Sequence, residues 1–181
     1  MNAGKLTVKT YATRLDMGAA AAQDVADAIC SLLKGKETVN IIFAAAPSQN
    51  ELLEALSKNA KVDWTKVNAF HMDEYIGLPE GAPQSFGYFL HSRLFGMLPF
   101  RKVFYIDGQA VDAEEECKRY AELLREYPVD IVCMGIGENG HIAFNDPHIA
   151  RFDDPQMVKT VVLSAASRRQ QVHDGCFPSF E

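Results

Sequence analysis

Residues 39–59 read VNIIFAAAPSQNELLEALSKN: an unbroken apolar run that gives way, at a proline, to a helical repeat. The first eight residues (39–46) have the length of a strand and no polar alternation, the pattern of a strand buried on both faces. Pro47 then sits at or near the first turn of a helix predicted over 47–59, where its missing N–H costs nothing. Working outward, the two periods keep alternating. LTVKTYAT (6–13) reads as a strand and MGAAAAQDVADAICSLLKG (17–35) as an amphipathic helix ended by Gly35. KVNAFHMDEY (66–75) begins as a strand and ends in charge, QSFGYFLHSRLFG (84–96) is helical, and KVFYID (102–107) is a strand. DAEEECKRYAELLREY (112–127) is a strongly patterned helix, VDIVCMGIG (129–137) and VKTVVLS (158–164) are further strands, and AASRRQQVHDGC (165–176) opens a last helix. Apolar strands alternating with helices of this length predict an α/β fold: a doubly wound, mainly parallel sheet with helices on both faces, Rossmann-like, in one domain over residues 1–181.

Composition excludes several function classes. The chain has 181 residues, 48% of them hydrophobic and 23% charged, enough for one core without staples. A net charge of −6 argues against a nucleic-acid or anionic-membrane partner. It leaves room for an anionic small molecule, which helix N-termini can hold. Cys30, Cys117, Cys133 and Cys176 show no CxxC pairing and read as buried free thiols of a reducing cytosol rather than disulfides or zinc ligands. No stretch approaches the roughly 20 apolar residues of a membrane span. MNAGKLTVKT lacks the apolar region of a signal peptide. A cytoplasmic location is expected.

Parallel sheets of this kind bind ligands beyond the carboxyl ends of their strands. Three strands end in chemically loaded segments: AAAPSQ (44–49), HMDEYIGLP (71–79) and GENGHIAFNDP (137–147). Asp73 and Glu74 are adjacent, so at most one can aim into a common cleft. An isolated pair of this kind is more often a solvated acidic turn. If the strand continues, however, His71, Asp73 and Tyr75 share a face, and a shielded Asp73 becomes a candidate proton acceptor. Gly135 and Gly137 permit a sharp turn with positive backbone angles and close approach to a ligand. The G-x-G-x-x-G spacing at 135, 137 and 140 comes too late in the chain for a dinucleotide fingerprint. His141 is either a satisfied structural histidine or, between Asn139 and Asp146, an oriented acid–base group. The amides of Ala44, Ala45 and Ala46 open a helix and could cradle an anion, with Lys159, Arg168 and Arg169 as basic candidates. No metal-ligand spacing and no G-x-S-x-G elbow is present.

FHMDEYIGLP followed some sixty positions later by GIGENGHIAFNDP resembles the glucosamine-6-phosphate deaminase (isomerase) family, which is related to the 6-phosphogluconolactonases. QSFGYFLHSRLF matches that family's aromatic-rich helix after the acidic loop. The resemblance implies conversion of an amino-sugar 6-phosphate and water to a ketohexose 6-phosphate and ammonia, with no metal or organic cofactor. Asp73 then matches the base that moves a proton from C2 to C1, and His141 the ring-opening acid–base. Asn139 and Asp146 match the residues that orient this histidine. Ala44, Ala45, Ala46, Glu74, Gly137, Gly140 and Arg168 are the positions expected to contact the sugar phosphate. Four places depart from the pattern: Asn139 stands where an aspartate is common, Asp146 where a glutamate is usual, AAAP replaces a Gly-Ser/Thr-rich turn, and SRRQQVHDG matches the phosphate-binding arginine only loosely. The family also continues with further strands and a closing helix, so the chain reads as C-terminally shortened, with an exposed apolar edge that would favour a homo-oligomer. Two alternatives to a deaminase are a sugar-phosphate sensor without turnover and a lactonase.

Overall fold

The structure, a computed structural model, describes residues 6–179. Residues 1–5, half of the N-terminal stretch read for a leader, lie outside the described residues. Four strands, β1 (Val39–Phe43), β2 (Val67–His71), β3 (Lys102–Phe104) and β4 (Ile131–Cys133), form one sheet in the order β3-β2-β1-β4. Every pairing is parallel, with Phe43 opposite both His71 and Cys133.

Alternation along the strands assigns each side chain to a layer. Val39, Ile41 and Phe43 of β1 and Val67 and Ala69 of β2 enter one core. They meet Ala22, Ala26 and Ile29 of α1 (Arg14–Leu32), Leu53 and Leu56 of α2 (Asn50–Ser57), and Phe86 and Leu90 of α3 (Phe86–Leu90). Burying each large apolar side chain fully contributes about 1.5–3 kcal/mol. On the opposite face Phe70 stacks on Phe104 with ring centroids 4.6 Å apart. It also meets, edge-on at 5.9 Å, Tyr120 of α4 (Ala113–Glu126). Helices therefore cover both faces, as the apolar runs predicted. Local chemistry sets the helix starts: Thr13 accepts from the Asp16 amide to cap α1, and Asp112 accepts from the amides of Glu114 and Glu115 to cap α4. Gly18 lets α2 close on α1, since a Cβ there would lie 2.8 Å from the Glu51 carbonyl carbon.

Four segments differ from expectation. Residues 6–13 form no strand; Leu6 and Val8 are exposed, and the end of the segment is taken up in capping α1. Residues 158–164 form none either, although Val161 and Leu163 pack on the core while Val162 is exposed. Both have the β-branched, apolar composition of a strand, but a ladder also requires a neighbouring edge to supply N–H and C=O partners. The segment 84–96 splits into α3 and a π-helical turn, His91–Phe95, closed by Gly96 against the His91 carbonyl. β2 ends at His71, so Asp73 and Tyr75 do not continue its pleat. The last helix, α5, spans Ala165–His173. Of the four cysteines, all free, only Cys133 is buried; the others are partly exposed.

Candidate active site

The order β3-β2-β1-β4 reverses direction between β1 and β4, and a parallel sheet opens a crevice at such a switch point. A cleft of about 90 Å³ lies there, walled by the turn after β1, the loop after β2 and the loop after β4. Ala44, Ala45 and Ala46 line it from β1. The Ala44 amide is tied to the Cys133 carbonyl at 2.8 Å, and Ala46 is extended at φ −155°. The alanines therefore need none of the positive angles that a glycine turn uses. A single 3-10 turn, Pro47–Gln49, leads into α2 and presents Ser48 to the cleft. Its hydroxyl, which accepts from Gln49 Nε2 at 3.1 Å, supplies the group that AAAP lacks.

The acidic loop separates its two carboxylates completely. Asp73 lines the cleft, half-buried, and no hydrogen bond reaches its carboxylate among the described residues. Burial, seconded by the charge of Glu74, raises its pKa from 3.8 to about 7. Glu74 turns the other way and does not line this cleft. Its Oε1 accepts from the amides of Tyr75 and Phe86, and its Oε2 from the Gly87 amide and the Ser85 hydroxyl, at 2.8–3.0 Å. These bonds tie the loop to the start of α3, on the side of the loop away from the cleft that Asp73 lines. His71 also leaves the shared face expected of it. Its buried Nε2 accepts from the Ile106 amide at 2.9 Å, so the ring proton sits on Nδ1. Burial lowers its pKa to about 4 although Glu74 pulls the other way, so the ring is neutral at physiological pH.

The third wall is a polar network. His141 is buried and lines the cleft, its Nδ1 2.6 Å from Asn139 Oδ1. A carboxamide oxygen can only accept, so Nδ1 carries the proton and Nε2 is left for a ligand. Asn139 passes the contact on, its Nδ2 donating to Asp146 Oδ1 at 2.8 Å. Asp146 is fully buried; its Oδ1 also accepts from the Ser167 hydroxyl and its Oδ2 from the Ser164 amide at 2.8 Å. Burial alone would push the Asp146 carboxyl up, but the bonds from Ser167, Ser164 and Asn139 outweigh it and hold the pKa down to about 2. Asp146 Oδ1 lies 3.7 Å from His141 Nδ1, so a negative charge stands behind the ring although the residue between them is an amide.

The glycines divide their roles differently from the expected turn. Gly137 does not need a positive angle; a Cβ there would collide with the His141 imidazole. Gly140 does need one, at φ 86°, and Ala143 in the cleft wall is held at φ 52°. Gly135 takes no positive angle and packs near Gln49 and Ser48. Arg168 and Arg169 are exposed on α5 and do not line the cleft, and Lys159 is paired with Asp154 at 2.5 Å. Among the described residues no lysine or arginine lines the cleft, and no three His, Cys, Asp or Glu are grouped to hold a metal. Sequence reasoning brought Asp73, His141, Asn139 and Asp146 to one site and missed Ser48, Ser167, Gln170 and Gln171. Ser164 had a local signal, as a serine preceding a helix. Ser167, one turn further on, had none.

Residues 12–171 match the family model for glucosamine-6-phosphate isomerases/6-phosphogluconolactonase. A glucosamine-6-phosphate deaminase of Listeria welshimeri is 42% identical over 130 residues, 72% of this chain and 54% of that protein. One from Bacillus cereus is 41% identical over 116 residues, 64% of this chain and 44% of that protein. The chain thus spans about half the length of the curated relatives it matches. A solved monomeric glucosamine-6-phosphate deaminase superposes with a TM-score of 0.85 at 27% identity, covering 97% of this chain and 71% of that one. A 6-phosphogluconolactonase of Trypanosoma brucei shares the fold, with a TM-score of 0.68 at 19% identity over 92% of this chain and 79% of that one. From the matched span, the shared fold and the sequence identity together, the chain belongs to the glucosamine-6-phosphate isomerase/6-phosphogluconolactonase family.

Proposed function

We propose that the cleft carries out an aldose–ketose isomerisation coupled to deamination of an amino-sugar 6-phosphate, glucosamine 6-phosphate or its galacto epimer. The observation that carries this reading is one carboxylate with a pKa raised to about 7 and an Nδ1-anchored histidine lining the same crevice. His141 Nε2 takes the proton of the anomeric hydroxyl and returns one to the ring oxygen, which opens the ring. Asp73 takes the C2 proton and delivers it to C1. As that proton moves, one ammonium proton passes from nitrogen to O1, so C1 becomes a hydroxymethyl group and C2 an iminium, which adds water and releases ammonia, leaving the ketohexose 6-phosphate. A carboxylate half ionised near neutral pH is suited to both halves of that transfer, and each positioned acid–base group contributes about 10²–10⁴-fold. Backbone amides of the turn at residues 44–48 and the Ser48 hydroxyl are the groups nearest at hand for the phosphate. No organic cofactor or metal enters the scheme.

The test is ammonia release from glucosamine 6-phosphate and galactosamine 6-phosphate by the complete gene product, with Asp73→Asn as the control. Release that depends on Asp73 supports the reading, and the ratio of the two rates identifies the sugar. Hydrolysis of a sugar-acid lactone without ammonia, or binding of the sugar phosphate without turnover, would overturn it.

A further inference from the structure

Asp146 and Asn139 leave one neighbour of His141 without a role. Ser167, on the first turn of α5, is 1% exposed. Its hydroxyl donates to Asp146 Oδ1, the oxygen nearer the imidazole. The same oxygen atom lies 3.3 Å from His141 Nδ1, 3.3 Å from Asn139 Nδ2 and 3.3 Å from Ser164 Oγ. A hydroxyl has one proton and two lone pairs. With its proton directed at the carboxylate, its two lone pairs are shared among three donors, the His141 Nδ1–H, the Asn139 amide and the Ser164 hydroxyl.

We propose that Ser167 is a positioning residue for His141, clamping the Asp146 carboxylate and the imidazole in one geometry. Two consequences follow from the contacts. First, a carboxylate oxygen already bonded to Ser167 and Asn139 has less freedom to swing toward His141 and take the place of Asn139 as acceptor. The 2.6 Å bond to Asn139, and with it the aim of Nε2, is thereby preserved. Second, the serine ties His141 to α5, the helix that also brings Gln170 and Gln171 to the cleft, so the docking of that helix and the aim of the imidazole are one event. Ser164 strengthens the tie, its amide holding the second oxygen of the same carboxylate at 2.8 Å.

The kinetic half of this inference rests on the reaction proposed above; the spectroscopic half does not. The experiment compares wild type with Ser167→Ala, Ser167→Cys and Ser167→Thr by nitrogen-edited proton NMR of the His141 ring and by steady-state kinetics. Wild type should show a hydrogen-bonded Nδ1 proton protected from solvent exchange. In Ser167→Ala that resonance should shift or be lost to exchange, with kcat down roughly 10- to 100-fold and KM nearly unchanged, the pattern of a misaimed acid–base group. The threonine variant, which keeps the hydroxyl, should restore both signals, and the cysteine variant, a weaker donor of similar size, should fall between. If the alanine variant does not fold, the cysteine variant decides. An Nδ1 resonance identical in wild type, alanine and cysteine variants overturns the proposal. A resonance that responds while wild type releases no ammonia leaves the positioning role standing and removes the assigned reaction.

Discussion

Replacing Asp73 by asparagine should make the protein more stable at neutral and alkaline pH. The carboxyl has a pKa of about 7 in the fold against an ordinary 3.8, because burial and the neighbouring Glu74 charge oppose its ionisation. A folded state that binds a proton more tightly than the unfolded chain loses stability as pH rises between those two values, and the loss is complete above about 7. At about 1.4 kcal/mol per pH unit the gap corresponds to roughly 4 kcal/mol. Asp73 is half-buried and opens onto the cleft, so water screens part of this, and about 2 kcal/mol is the working figure. Asparagine has nearly the same shape and no charge. For a chain of this size 1 kcal/mol moves Tm by roughly 2–4 °C, so the variant should melt about 4–8 °C above wild type at pH 8. Below about pH 3, where the wild-type carboxyl is neutral in both states, the two melting curves should coincide. Thermal unfolding followed by circular dichroism at pH 3, 6 and 8 measures the difference. Equal stabilisation at every pH, or none at pH 8, would refute the argument that the fold holds this carboxylate against its preferred charge state.

Three other outcomes follow from the same geometry. Asp146 shows the opposite linkage: its lowered pKa contributes stability that is present above 3.8 and lost as pH falls through about 2. Asp146→Asn should cost about 2 kcal/mol at pH 7, seen in urea unfolding, with the deficit narrowing in acid. Gly137→Ala puts a methyl into the His141 ring and should reduce turnover by roughly 100-fold, with little change in the far-ultraviolet spectrum; near-normal turnover would show that the loop yields. Glu74→Ala removes the acceptor for the Tyr75 amide and for two amides and a hydroxyl at the start of α3, and should destabilise by about 2–4 kcal/mol in a denaturant titration, more than a surface carboxylate could.

The layer order was legible in the chain itself. Val39–Phe43, with five apolar or buried positions, followed by Pro47 and the repeat of Leu53 and Leu56, encodes a strand and a helix through near neighbours alone. Even some local features escaped it: Thr13, read as the end of a strand, caps α1, and the positive angle expected at Gly135 and Gly137 falls at Gly140. Asp73, His141, Asn139 and Asp146 could be singled out because strand ends rich in polar residues converge at a sheet edge. What tertiary structure alone decided is which partner each group finds. Residues 6–13 and 158–164 have strand-like composition yet form no ladder, because composition describes one strand and pairing requires two. Asp73 and Glu74 are chemically alike in sequence; the amides at the start of α3, a dozen residues away, claim Glu74 and leave Asp73 to the cleft. Ser167 stands 26 residues from His141 and meets it only when α5 docks. Periodicity and turn chemistry act within a few residues, whereas burial, charge state and hydrogen-bond choice depend on groups that the fold brings from far along the chain.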